Sequence, residues 1–555
     1  MPSSRLLLRF PLALALALAL LLGACATQPV VEPAAPAVSL TDPTAQVARS
    51  PHGMVASASS YATQVGAAVL AQGGNAVDAA VATAFTLAVT EPPMSGLGGR
   101  ASTVIRTPDG QVYGIDGLNQ VPQGYAEGAP AGYDRAAIPG VPAALGHALE
   151  RYGSWPLARL LAPAILLAEE GFILNAEVAG FIAGAADDLR QHEGSRRYFL
   201  KPDGSPYQEG DRLVQRDLAR TLRGIAEGGV AAFYGGWIAD SIHADMVRRG
   251  GFITRAELAD YEALPAILVE GSYRGFELVS NYQPASGHTV IEALHIMEHF
   301  DLGSAGAAER ASLTGQAMQL ALSDRSRRFG TPEESAARLT SRAHAAERAR
   351  EIRGPEVGQP VPAGAAEQDE PWWLRPDADH TTHLSVIDAD GMAVTHTQSL
   401  GPAMGTALAA PGLGFLYATR LGSVPGSRPG STISPTLVTD PAGRLRYALG
   451  GAGDARIITA VIQTLSGVID RGLSIEEAVA APRVHPGGQA SLNVEQGERI
   501  RWTDADVARL RELGFEVEVS TSGYFGRVHA VAVDGSTLEG AADPRRSGTA
   551  VGVRR

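Results

Sequence analysis

The sequence predicts a layered α+β fold with antiparallel sheets, and three observations carry that prediction. Four segments alternate apolar and polar residues about a tight-turn signal: 102–116 around Asp109-Gly110, 383–399 around Asp390-Gly391, 529–540 around Asp534-Gly535, and 436–449 around Pro441 to Gly443. Asp-Gly supplies the positive φ angles of a short hairpin turn, so each segment reads as two paired strands. Long helical patterns, such as 157–170 and 310–328, separate these hairpins. Finally, the regular strand–helix alternation of a parallel sheet is missing, as is any internal repeat, which excludes a Rossmann-type arrangement.

The elements follow in chain order. Arg5 and Arg9 precede an apolar run over 11–22, shorter than the roughly 20 residues needed to span a membrane. A positive start and a short apolar run read as an export signal, 1–24. Leu22-Gly23-Ala24-Cys25 resembles the lipobox of bacterial lipoproteins. That resemblance implies cleavage before Cys25 and a lipid anchor on it. Ala26 resembles the sorting pattern for the periplasmic face of the outer membrane. Residues 25–50 are rich in Pro and Ala and are expected to form a tether. A helix over 62–72 stops at Gly73-Gly74. Asn75, with Asp78 three residues on, caps a second helix running to about Thr90. From 353 to 379 the chain is acidic and Pro/Gly-rich without apolar periodicity, which predicts a long loop that must move or be cut, with Trp372-Trp373 as its anchor.

Composition narrows the chemistry. Hydrophobic residues at 45% and charged residues at 19% describe a chain with a large core. A net charge of −13 with no basic run excludes nucleic acid as an expected partner. Cys25 is the single cysteine and Lys201 the single lysine. No intrachain disulfide, Cys-rich metal site, Ser–Lys dyad, Walker A loop or Schiff-base lysine fits that inventory. Hydroxyls, carboxylates, histidines and backbone groups remain.

A set of motifs runs in order along the chain: GGNAVDAAVA from Gly73, EPPMSGLGG from Glu91, PGVP from Pro139, PAILLAEEGF from Pro163, AFYGG from Ala232, GGFIT from Gly250 and YRGFE from Tyr273. TTHLSVIDADGMAV from Thr381, RPGSTISPT from Arg428 and DPRRSG from Asp543 complete it. Each is weak alone, but in this order they resemble the γ-glutamyltransferase family of N-terminal nucleophile hydrolases. The resemblance implies a four-layer αββα sandwich and a precursor that cuts its own His380–Thr381 bond. The products would be a large fragment from residue 51 to 380 and a small fragment, 381–555, held together as a heterodimer. Thr381 would then carry both the nucleophilic hydroxyl and, as a new N-terminus, an α-amine titrating near pH 8 to act as base. By the same resemblance Ser399 supports the nucleophile, the backbone N–H groups of Gly453 and Asp454 form the oxyanion site, and Ser431 and Thr432 hold substrate. No cofactor and no metal are implied; a small-molecule amide is.

Departures from the family concern the substrate. The family's carboxylate-binding arginine falls at Leu118, followed by Asn119 in place of Glu. Its amine-binding side chains fall at Gly401, Arg420 and Ser423. These exchanges set a non-glutamyl amide, with an acidic acyl group drawn to Arg420, beside the γ-glutamyl compounds that the family implies. A non-catalytic surface-anchored binding protein on the same fold is the third reading. His295, Glu298 and His299 match the H-x-x-E-H zinc pattern but coincide with a helix to which the family assigns no metal. Gly96 to Gly99 lack the strand–loop–helix surroundings of a dinucleotide site.

Overall fold

The computed structural model describes residues 39–554 except 129, 353–379 and 489; Cys25, Trp372-Trp373 and most of the expected pre-cleavage loop lie outside the described residues. Two large sheets, antiparallel between all neighbours, form the centre. The first runs Ser39–Leu40, Thr549–Arg554, Gly53–Ser57, His380–Asp388, Ala393–Gly401, Arg100–Arg106, Val112–Gly117, Leu264–Pro265. The second runs Val47–Ser50, Thr537–Ala542, Arg527–Asp534, Leu445–Ala452, Thr436–Thr439, Phe276–Asn281, Leu268–Tyr273. All four expected hairpins are present in these sheets.

The sheets meet face to face because each strand turns alternate side chains inward. Met54, Ala56, Val104 and Ile387 of the first sheet pack with Leu437, Ala448, Val531 and Leu538 of the second. Helices cover both outer faces. Ser60–Ala71 and Ala76–Thr90 lie on the first sheet, while Gly287–Met297 and Ala455–Asp470, backed by Ala307–Asp324, lie on the second. The four-layer αββα sandwich is therefore present. The helix Ala76–Thr90 is buried along its whole length, which its Ala- and Thr-rich sequence permits. Its start is fixed as the sequence predicts: Asp78 N donates to Asn75 Oδ1 at 2.9 Å and Asn75 N to Asp78 Oδ2 at 3.0 Å. Such a reciprocal cap stabilises a helix by about 1 kcal/mol.

Two expectations shift. The tether expected through Ser50 gives way to ordered structure at Ser39. Thr41 N bonds Gly552 O at 2.9 Å, and Val47–Ser50 pairs with Thr537–Ala542. The last proline of this stretch is Pro43, and beyond it every residue can donate to a ladder. A small third sheet, Val484–Pro486, Ser491–Glu495 and Glu516–Ser520, contains a parallel pair that no hairpin pattern foretold.

Candidate active site

The site begins where two central strands end. Strand His380–Asp388 pairs Thr381 with Ser399, and Ser399 pairs in turn with Arg100 on the next strand, with an irregularity between His380 and Thr381. Directly opposed residues share a face, so Thr381, Ser399 and Arg100 form one row. That row faces the second sheet, as does His383, whose ring lies against Gly450. The alternate residues face the helices: Gln398 Nε2 donates to Ala84 O and Thr382 Oγ1 to Glu91 Oε2.

Ser399 is the hub. Its Oγ accepts from Thr381 Oγ1 at 3.1 Å and from Gly401 N at 3.0 Å, and donates to His380 O at 3.1 Å. One hydroxyl thus orients the threonine hydroxyl and polarises the carbonyl of the peptide bond before it. Thr381 is fully buried. The His380 ring packs on Phe181 with centroids 4.5 Å apart. Burial, reinforced by Arg546, Arg527 and Arg456, pushes that imidazole down to about 3, so it is neutral.

Arg546 fixes the next carbonyl, donating from Nη1 to Thr381 O at 2.7 Å and from Nε to Glu177 Oε1 at 2.7 Å. Glu91 lies 3.9 Å from the same guanidinium, and burial pushes its carboxyl above the ordinary range despite Arg546 and Thr382. Arg546 is aimed by its neighbours in the DPRRSG motif. Asp543 pairs with Arg483 at 2.8 Å and Arg545 at 3.0 Å, and Arg545 with Glu495 at 2.7 Å, all buried. The sequence offered Glu91 and Arg546 only as members of motifs; their contacts to Thr382 and Thr381 bridge 291 and 165 residues of chain, from the end of a helix and from a turn between strands.

The remaining expected residues divide. Gly453 (φ 125) and Asp454 (φ 53, ψ −131) make the sharp turn that starts helix Ala455–Asp470. A helix N-terminus presents N–H groups and a positive dipole end, which suits an oxyanion. Thr432 Oγ1 donates to Asp454 Oδ1 at 3.3 Å, and Ser431 is held beside it by Pro284 O and Ser286 Oγ. Asp454 also has Arg456 at 3.9 Å. Leu118 is buried, with its N–H bonded to Asp116 and its carbonyl to the Tyr261 hydroxyl at 2.6 Å. Gly401 adopts φ 97, where a Cβ is strained. Ser423 is exposed. Arg420 differs most from expectation. Its guanidinium lies 3.9 Å above the Tyr125 ring and donates to Asp134 O, Gly422 O and the Tyr125 hydroxyl. Those contacts take one N–H from each of its three nitrogens and hold the guanidinium against the Tyr125 ring.

The H-x-x-E-H residues are held by other contacts. The helix Gly287–Met297 ends before Glu298 and His299. His295 Nε2 accepts from Ser272 N at 3.2 Å, and Glu298 accepts from Arg274 N at 2.8 Å. Among the described residues, Glu292, Asp324 and His344 do converge, with His344 Nε2 at 3.0 Å from both carboxylates.

Two antiparallel sheets between helical layers are the fold of the N-terminal nucleophile hydrolases. Similarity to known proteins narrows this. A family model described as Gamma-glutamyltranspeptidase matches residues 62–553. The chain is 34% identical to the glutathione hydrolase proenzyme of Escherichia coli (strain K12), over 95% of this chain and 96% of that protein. It is also 34% identical to the Acylase ACY 1 proenzyme of Pseudomonas sp. (strain SE83), over 90% and 93%. Among solved structures, the cephalosporin acylase from Bacillus halodurans superposes with a TM-score of 0.82 at 28% identity, covering 91% of this chain and 96% of that one. The chain belongs to the gamma-glutamyltranspeptidase family and is an enzyme of the hydrolase or transferase type.

Proposed function

We propose that this chain is a self-processing amidohydrolase or acyltransferase that works through an ester on Thr381. The carrying observation is the three-way bond of Ser399 Oγ to Thr381 Oγ1, His380 O and Gly401 N. In processing, Thr381 Oγ attacks the His380 carbonyl carbon and the oxygen, as it gains charge, is held by the Ser399 hydroxyl. The Oγ proton passes to the Thr381 nitrogen as the C–N bond breaks, leaving His380 as an ester on Oγ, and water hydrolyses that ester to a His380 carboxylate and the free hydroxyl. Thr381 is left with a free α-amine, which takes the Oγ proton for the second chemistry. The hydroxyl oxygen attacks a substrate amide, the amine product leaves with that proton, and water or an acceptor amine resolves the acyl-threonine. The Gly453 and Asp454 N–H groups serve that second oxyanion. The test is a denaturing gel: wild type gives fragments 1–380, less any signal, and 381–555, and Thr381→Ala stays whole. A wild-type chain that never cuts overturns the reading and favours a binding protein.

The relatives named glutathione hydrolase favour a γ-glutamyl substrate; the pocket favours another. Leu118, Gly401 and Ser423 offer neither the arginine nor the acids that a glutamyl carboxylate and ammonium require, and loss of a charged contact costs about 1.5–3 kcal/mol. A second reading therefore takes a non-glutamyl acyl amide as substrate. Turnover of a γ-glutamyl anilide at a rate matching any other acyl anilide refutes it. Export and lipidation at Cys25, on the periplasmic face of the outer membrane, belong to the same proposal. Their support is the sequence over 1–26, and Cys25→Ser, which must release the protein from membranes, tests them.

A further inference from the structure

We infer that the protein carries a second ligand site, apart from the catalytic region, that binds a carboxylate mounted on a compact apolar body such as an aromatic ring. The site is a cavity of about 230 Å³ where helices Ala307–Asp324 and Ala455–Asp470 meet the third sheet and the turn before helix Asp504–Glu512. Gln463, Ser466 and Gly467 line it. The first of these lies nine residues beyond Asp454, which at about 1.5 Å per residue is about 14 Å from the turn assigned to the oxyanion.

Arginines stand at the rim. Arg471 and Arg501 are exposed and Arg310 is half-buried. Among the described residues neither Arg310 nor Arg471 forms an ion pair; Arg310 Nη1 donates to the carbonyls of Leu302 and Ala305 at 3.3 and 2.8 Å. Asp470, next in the chain to Arg471, is taken up by Arg274, Tyr273 and Ser466. Asp506 also lines the cavity, but accepts from the Thr503 hydroxyl that caps its helix. Arg501 has Asp504 at 3.5 Å, an exposed pair worth little. Burial, with Arg471 close by, pulls the Arg310 guanidinium below its ordinary range, against the fields of Asp470 and Asp506. Like charges gathered at a partly buried rim repel, and an anion between them relieves that repulsion.

The inner surface is apolar. Ala311, Ala478 and Val484 are buried beneath the rim, and half-buried Trp502 forms one wall. The indole is fixed, with Nε1 donating to Arg483 O at 3.0 Å. Arg483 is itself locked by Asp543 at 2.8 Å and, through its backbone N–H, by Glu495 at 3.0 Å. That wall is formed before a ligand arrives, which lowers the ordering cost of binding. Bare phosphate leaves the apolar surface uncovered. An aryl carboxylate covers it and offers the arginines two coplanar oxygens.

The experiment titrates benzoate, benzyl alcohol, acetate and phosphate by calorimetry against wild type, the double variant Arg471→Gln/Arg501→Gln, and Trp502→Phe. Benzoate should bind wild type with a Kd of about 1 mM or below, more weakly as salt is added, and should change tryptophan emission. The other three compounds should each bind at least about 10-fold more weakly. Both arginines are exposed, so the double variant should keep the wild-type denaturation midpoint while losing about 10- to 100-fold in benzoate affinity. In Trp502→Phe the calorimetric signal should persist and the emission change vanish. No benzoate binding, equal binding of any of the other three compounds, or an affinity indifferent to both arginines overturns the site. An emission change that survives Trp502→Phe places the ligand elsewhere and overturns it as well.

Discussion

Replacing Ser399 by alanine removes a single oxygen that makes three hydrogen bonds. The bond to His380 O strengthens as that carbonyl becomes a tetrahedral oxyanion, and deleting one such donor costs about 10²- to 10³-fold in rate. Losing the acceptor for Thr381 Oγ1 also frees the hydroxyl to rotate, so self-cleavage should slow by at least about 100-fold. The Gly401 N–H is left without its partner inside the protein, at about 1–3 kcal/mol of stability. Freshly purified uncut chain, sampled over hours on a denaturing gel, gives the processing rate, and chemical denaturation gives the stability. Ser399→Thr keeps the hydroxyl and should process within several-fold of wild type. Ser399→Ala cutting at the wild-type rate would refute the hub role, and equal slowing in both variants would show that packing, not the hydroxyl, matters.

Further outcomes follow from the same geometry. Asp454 holds φ 53 and ψ −131, a conformation that suits glycine, so Asp454→Gly should add about 1–3 kcal/mol of stability. It also removes a carboxylate beside the oxyanion site, so kcat should rise; a fall in both stability and kcat would show that the carboxylate is needed. Arg546→Met should uncouple Thr381 O and Glu177 and slow processing, while removing a buried ion-pair partner at about 3–5 kcal/mol. Measured stability unchanged in that variant would contradict the buried network. The Glu292–Asp324–His344 cluster predicts a pH dependence. Burial, set against the bond to His344, pushes Glu292 up to about 8. Burial alone would lower His344, but its bonds to Asp324 and Glu292 lift it to about 9. Both folded values lie above the unfolded ones, so the stability these groups contribute is complete at acid pH and is lost as pH rises toward 8 and 9. Between pH 6 and pH 9 the stability of wild type relative to Glu292→Gln should therefore fall as pH rises; a difference that stays constant across that range would contradict the raised Glu292.

What was legible in the sequence is what is local. Asn75 and Asp78 sit three residues apart, and the Asp-Gly turns fix their own hairpins, so caps and strand pairs could be read directly. Thr381 and Ser399 emerge from one such hairpin. The rest depends on register between distant segments. Arg100 follows a glycine-rich motif, and nothing near it in the chain says that it stands beside Ser399 across a ladder. The Arg420 substitution was visible, but not its fate, because Tyr125 and Asp134 come from a loop nearly 300 residues earlier. The strands Ser39–Leu40 and Val47–Ser50 are too short to show a period and exist only because the C-terminal strands offer them partners.

A cut at His380–Thr381 would leave two chains threaded through one another. Strand Gly53–Ser57 of the large fragment lies between Thr549–Arg554 and His380–Asp388 of the small one, and Val47–Ser50 and Phe276–Asn281 bracket the small fragment's four strands in the second sheet. Neither fragment owns either of the two large sheets outright. Dilution alone cannot part them, since separation requires tearing ladders in both sheets at once. The same interleaving makes the uncut chain its own assembly template: the ends are brought into register while still covalently joined, before any cut. Fragments denatured after the cut must find that register as a bimolecular encounter, so recovery of activity should be poor and concentration-dependent where the intact precursor refolds alone.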